Sequence, residues 1–182
     1  MRFLHTADWH IGKAIRGRSR YEEYERALDQ VVEVARAEAV DAVLVAGDLH
    51  DARAVTADAD ALIFDTLIRL HDHGIPVVAI PGNHDSAARL DAFAPLLARI
   101  DVRVVPKMLR PDAGGTVTIS SRDGGEEAIV ACIPFVSPAR FSDAASLFID
   151  PARLYVSYDE NMGLLLDAFA STFKPTAVNV VM

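Results

Sequence analysis

Three apolar runs, each closing at a polar cluster, constrain this chain more than any other feature. The first, Arg2-Phe3-Leu4-His5-Thr6, runs into Asp8-Trp9-His10; the second, Ala42-Val43-Leu44-Val45-Ala46, into Gly47-Asp48; the third, Val77-Val78-Ala79-Ile80, into Pro81-Gly82-Asn83-His84-Asp85. Uninterrupted apolar runs of four or five residues suit parallel strands covered on both faces. Helical segments fill the intervals. In residues 21–39, Tyr24, Ala27, Leu28, Val31, Val34 and Ala35 follow the three-and-four spacing of an amphipathic helix, and residues 56–73 place Leu62, Ile63, Leu67 and Leu70 inward before Gly74. His71 and His73 fall in that helix's last turn, where partial positive charge is favourable, and are read as helix-end residues. Residues 87–99 predict a third helix, bent or begun late by Pro95, and 102–105 a fourth strand.

Beyond that strand the pattern changes. Thr116-Val117-Thr118-Ile119-Ser120 and residues 127–133 flank Ser121-Arg122-Asp123-Gly124-Gly125, a hairpin signal. One or two helices between 140 and 173 and a last apolar strand at 177–182 complete the reading. The order predicts an α/β fold in one domain, with a parallel sheet first and a mixed or antiparallel sheet later.

Composition narrows the function classes. With 182 residues, 51% hydrophobic and 24% charged, the chain has the balance of a globular domain able to bury about 70% of its unfolded surface. It contains no apolar run of eighteen residues and goes from Met1-Arg2-Phe3-Leu4 directly into a polar segment, so a soluble, cytoplasmic protein without membrane contact is expected. The single cysteine, Cys132, lies in an apolar run and reads as a buried structural thiol. A net charge of −8 argues against binding nucleic acid by bulk positive charge, yet acidic groups gathered at one site accept a phosphoester once divalent cations neutralise them. Locally, Lys13, Arg16, Arg18 and Arg20 make residues 13–20 a positive loop, either solvated or in contact with substrate phosphates.

Singly, the three polar clusters are common; Asn-His-Asp alone also suits an Asx turn. At neighbouring strand ends, about 5 Å apart, they can converge on a pair of cations. If residues 8–10 stay extended, Asp8 and His10 point to one side and hold one ion, Asn83 holds the other, and Asp48 bridges. Oxygen and nitrogen donors without thiolates favour Mn²⁺, Fe²⁺ or Zn²⁺, with Mg²⁺ also compatible. His84 can then give a proton to a leaving oxygen, with Asp85 orienting its ring.

Asp-x-His, Gly-Asp-x-x-Asp and Gly-Asn-His-Asp in this order resemble the calcineurin-like metallophosphoesterases, and Leu4-His5-Thr6-Ala7-Asp8-Trp9-His10-Ile11-Gly12 with Asp41-Ala42-Val43-Leu44-Val45-Ala46-Gly47-Asp48 resembles the SbcD-type nucleases among them. The resemblance implies a four-layer αββα sandwich and two metal ions, usually manganese. Matched position by position, Asp8, His10, Asp48 and Asn83 are metal ligands and His84 the catalytic histidine. It also implies exonuclease action on DNA ends and endonuclease action on single strands and hairpins in break processing, a partner ATPase of the SbcC type with a long coiled coil, and a nuclease homodimer. The family pattern continues with histidines that this sequence lacks, so 1–182 is expected to be a nuclease domain truncated before its C-terminal metal-ligand motifs, with weakened metal sites. His50 stands where relatives often carry an aromatic residue. The rival readings are a phosphomonoesterase or cyclic-nucleotide phosphodiesterase on the same fold, and a non-catalytic scaffold.

Overall fold

The computed structural model describes residues 1–136 and 158–182. Strands β1 (Phe3–Thr6), β2 (Ala42–Ala46), β3 (Val77–Ile80) and β4 (Val102–Val104) form an all-parallel sheet in the order β1-β2-β3-β4, joined by helices α1 (Tyr21–Ala37), α2 (Ala57–Asp72) and α3 (Ala87–Leu97). Strands added one after another in the same direction, each through a right-handed crossover, put every connecting helix on one face. The core shows this arrangement. Val43, Val45, Val77, Ala79 and Val102 pack against Leu28, Val32 and Ala35 of α1 and Leu62, Ile63, Leu67 and Leu70 of α2.

The alternate residues of the same strands, Ala42, Leu44, Val78 and Ile80, face a second sheet. It consists of β5 (Thr116–Ser120), β6 (Glu127–Ala131) and β7 (Val178–Val181), with β5 and β6 antiparallel (Thr116↔Ala131, Ser120↔Glu127) and β6 and β7 parallel (Ala128↔Val178). Ile119, Ala128 and Val130 close the core between the sheets. Helix α4 (Tyr158–Ala170) covers the far side, where Leu165 and Phe169 are fully buried with Ala131 and Met108. The layers are therefore helix, sheet, sheet, helix, as the resemblance implies.

Element ends differ modestly from the sequence reading. Helix α1 stops at Ala37, and Ala39 takes a left-handed turn at φ 48°. Thr56 and Ser86 cap α2 and α3, accepting from the amides of Ala59 and Arg89, both at 3.3 Å. Pro95 sits inside α3, which tightens into a short 3₁₀ turn at Ala98–Ile100. His71 lies in the last turn of α2 and His73 caps it, as predicted. Of the helices expected between 140 and 173, only the part occupied by α4 lies within the described residues. Cys132 is buried, and burial pushes its thiol up to about 12, the property of an inert structural cysteine. Among the described residues, no helix is long and apolar enough to cross a membrane.

Candidate metal centre

The three clusters converge at the carboxyl ends of β1, β2 and β3. Asp8 and His10 do not continue β1 as extended residues. Both adopt left-handed backbone, at φ 56° and 46°, and so does Asp48 at φ 53°. Each such residue costs on the order of 1 kcal/mol, and conformations of this kind collect where function requires them. What holds the turn is a ladder between the two loops: the amides of Asp8, His10 and Ile11 donate to the carbonyls of Gly47, Asp48 and Leu49 at 3.1, 2.9 and 3.0 Å, and Asp51 donates back to Ile11 at 3.1 Å. Trp9, between the two candidate ligands, is buried in the helix-side core and donates from Nε1 to Thr6 Oγ1 at 2.9 Å. That anchor separates its neighbours from the core.

The loop after β3 closes over Asp48. The amide of His84 donates to Asp48 Oδ1 at 2.9 Å. Such closeness leaves no room for side chains on the glycines: a Cβ on Gly82 would lie 2.2 Å from Asp48 Oδ1, and one on Gly47 would lie 2.9 Å from the backbone of Gly82. Gly47 is also left-handed, at φ 91°.

His10, Asp48 and His84 offer donor atoms that all lie within 4.8 Å of one another, a spacing suited to a common cation. The two imidazoles meet edge to face, with centroids 4.7 Å apart. His10 Nε2 is 3.6 Å from Asp8 Oδ1 and 3.9 Å from Asp48 Oδ2. Asp8 itself is open to solvent, its side chain 73% exposed. Asn83 is exposed on the loop between Gly82 and His84. The structure thus gathers His10, Asp48 and His84 tightly, with Asp8 at their rim and Asn83 on the covering loop.

Asp85 does not orient His84. Its carboxylate turns inward and accepts from the amides of Leu49, His50 and Gly82 at 3.2, 2.9 and 3.0 Å, and from His50 Nδ1 at 3.0 Å. Burial pushes this carboxyl up, but the His50 ring and those amides outweigh it and hold the group below the usual carboxylate range. His50 is buried as well, its Nε2 facing Asp60 Oδ1 at 3.1 Å, and Asp60 in turn pairs with Arg89 at the start of α3. This chain of polar groups ties the loops after β2 and β3 to α2 and α3.

Asp51, to which the sequence reading gave no role, positions His84. Its carbonyl accepts from His84 Nδ1 at 2.5 Å; a carbonyl can only accept, so Nδ1 carries the proton and Nε2 is the nitrogen left for a metal or substrate. The Asp51 carboxylate lies 3.6 Å from both His10 Nδ1 and Lys13 Nζ. The signal was present in the last position of Gly-Asp-x-x-Asp. His10 Nδ1 is buried without a hydrogen-bond partner, which leaves this ring tuned to its surroundings by charge alone.

The basic loop grows from the same place. Lys13 donates its amide to His10 at 3.2 Å, and Ile15 and Arg18 exchange backbone hydrogen bonds at 3.1 and 3.0 Å around Arg16 and Gly17, both at positive φ. This is a tight two-residue hairpin of the I′ kind, which displays Arg16 and Arg18 at its turn.

Comparison with known proteins agrees with this geometry. The chain is 33% identical over 181 residues to the SbcD component of the SbcCD nuclease of Bacillus subtilis, covering 99% of this chain and 45% of that protein. It is 36% identical over 139 residues to the protein of the same name from Escherichia coli K12, and 36% identical over 147 residues to that of Rhodobacter capsulatus, each alignment covering 76% of this chain and 34% and 36% of the relative. The chain therefore spans less than half the length of these curated relatives. A family model for calcineurin-like phosphoesterases matches residues 1–134. Since that match takes in every strand end that carries a donor, and well over half of the 182 residues, the chain belongs to the calcineurin-like phosphoesterase family.

Proposed function

We propose that this chain carries the catalytic face of a metal-dependent nuclease that hydrolyses DNA phosphodiesters, working as an exonuclease at ends and an endonuclease on single strands and hairpins. The observation that carries the reading is the rooting of a basic hairpin at His10, inside the donor cluster of His10, Asp48 and His84. Calcineurin-like phosphoesterases use divalent metals, and this donor set of imidazoles and a carboxylate fits them. We assign Asp8, His10, Asp48 and Asn83 as ligands of two divalent ions, Mn²⁺ foremost. Such ions supply Lewis acidity at the scissile phosphoryl group and lower the pKa of water.

The chain's own residues do the rest. Asp48 holds the covering loop through the His84 amide, and Asp51 fixes the His84 tautomer. As water attacks phosphorus and the bond to the leaving oxygen breaks, His84 Nε2 gives that oxygen its proton. Arg16 and Arg18 contact phosphates outside the reacting one, which adds affinity that falls with salt. By analogy with the relatives' naming as part of a two-component nuclease, an SbcC-type ATPase is the proposed partner, and two copies of the nuclease pair as a homodimer.

Hydrolysis of linear duplex, hairpin and single-stranded DNA, measured with Mn²⁺ beside a phosphomonoester and a cyclic nucleotide, tests the reading. DNA turnover that drops steeply with salt supports it. Turnover of the small substrates alone would reassign the chain to another phosphoesterase class, and turnover of none with metal bound would leave a scaffold. His84→Ala is expected to reduce turnover about 10²-fold or more with metal content nearly unchanged; loss of both would make His84 a ligand.

A further inference from the structure

A second cleft lies on the other side of the Gly82–Asp85 loop, away from the hairpin. Its cavity is about 470 Å³, and Arg53, Gly82, Lys107 and Phe135 line it. Gly82 is the wall it shares with the donor cluster, because that residue is pressed against the Asp48 carboxylate. The cleft therefore opens directly beside the reacting groups.

Its lining has two properties that belong together. Phe135 is 50% exposed, unusual for so large an apolar ring, while its backbone is pinned by donation of its amide to the Pro81 carbonyl at 3.1 Å. An aromatic face is thus presented to solvent from a fixed point on the loop that carries Asn83 and His84. Two cationic side chains share the cleft: Arg53, exposed in the loop after β2, and Lys107, which follows β4. Lys107 meets Asp91 at 3.1 Å, with both side chains about half exposed, a surface pair worth about 0–1 kcal/mol and readily exchanged for a phosphate. A π-face held beside positive charge is how single-stranded nucleic acid is bound without regard to sequence.

Resting on the nuclease reading above, we propose that this cleft is a nucleotide subsite. The base of a nucleotide flanking the scissile one stacks on Phe135, and Arg53 and Lys107 hold its phosphate. The substrate strand then crosses the donor cluster from the hairpin on one flank to the cleft on the other. Opposite walls of one groove, both basic, suit a polyanion in a protein whose net charge is −8.

Fluorescence anisotropy of a labelled oligothymidylate, intact and with single abasic residues placed in turn along it, tests the subsite. At the one position that occupies the cleft, an abasic residue is expected to weaken binding about tenfold. Phe135→Ala should weaken the intact oligonucleotide by the same factor and lose sensitivity to that abasic position, while Phe135→Trp should keep both. Arg53→Glu with Lys107→Glu should weaken intact and abasic strands alike and flatten the salt dependence. Independent, multiplicative losses from Phe135→Ala and the abasic residue would overturn the subsite, as would wild-type affinity in Phe135→Ala. If the wild type binds no oligonucleotide, the nuclease reading falls and the subsite with it. If Arg16→Glu and Arg18→Glu weaken binding but Phe135→Ala does not, the reading stands and the subsite alone is rejected.

Discussion

At the scale of single residues, the centre depends on what is absent as much as on what is present. Gly82 has no Cβ because Asp48 Oδ1 occupies the space that a Cβ would take, 2.2 Å away. Gly82→Ala must displace either the carboxylate or the loop, and both carry the chemistry. The expected outcome is a loss of Mn²⁺ affinity of tenfold or more, read by calorimetry, together with a fall in stability of about 1–3 kcal/mol. A variant that binds metal as the wild type does would show that Asp48 needs no fixed position. Asp85 offers a second test, since four N–H groups converge on its buried carboxylate. Asp85→Ala strands those donors and should lower urea-derived stability by about 3 kcal/mol.

At the scale of elements, Asp41 joins the two sheets. Its carboxylate accepts from the Arg2 amide ahead of β1 at 2.6 Å and from the Arg122 amide in the β5–β6 turn at 2.8 Å. The Arg122 amide, opposed by burial and aided by the Arg2 amide, holds this carboxyl below its usual range. A depressed carboxylate contributes stability above its unfolded pKa of about 3.9 and loses it as pH falls through the lower folded value. The stability gap between wild type and Asp41→Asn should therefore be present at neutral pH, about 1 kcal/mol by the loss of one hydrogen bond, and close in acid. A gap that persists at low pH would assign it to packing.

Strand and helix positions were legible because burial on both faces leaves continuous apolar runs and burial on one helix face leaves a three-and-four pattern. The turn after β1 was not. Residues 8–10 alternate polar and aromatic side chains as a strand would, but the hydrogen bonds to Gly47, Asp48 and Leu49 fix left-handed backbone there, and no local pattern encodes a partner loop about forty residues away. The same holds for Asp85, which sits beside His84 in sequence yet serves Leu49, His50 and Gly82. His50 could not be placed from sequence for the same reason: its partners, Asp85 and Asp60, come from other elements.

At the scale of the whole molecule, the second sheet and α4 support the face that does the chemistry. Phe169 is fully buried where α4 meets β6, and β6 in turn faces β2 and β3. Phe169→Ala should cost about 3–5 kcal/mol in chemical denaturation. The four-layer order was legible from the change of pattern near residue 105 together with the family resemblance, whereas the packing of α4 on the outer face of the second sheet required the structure.

The central claim is that the donors gathered at three strand ends hold a divalent cation through Asp48. Calorimetric titration of Mn²⁺ into the wild type and Asp48→Asn tests it most directly, because the amide keeps an oxygen for the His84 amide while removing the charge. Saturable binding by the wild type, lost in Asp48→Asn with the metal-free melting temperature unchanged, is the expected result. Equal binding by both proteins, or none by the wild type, would contradict it.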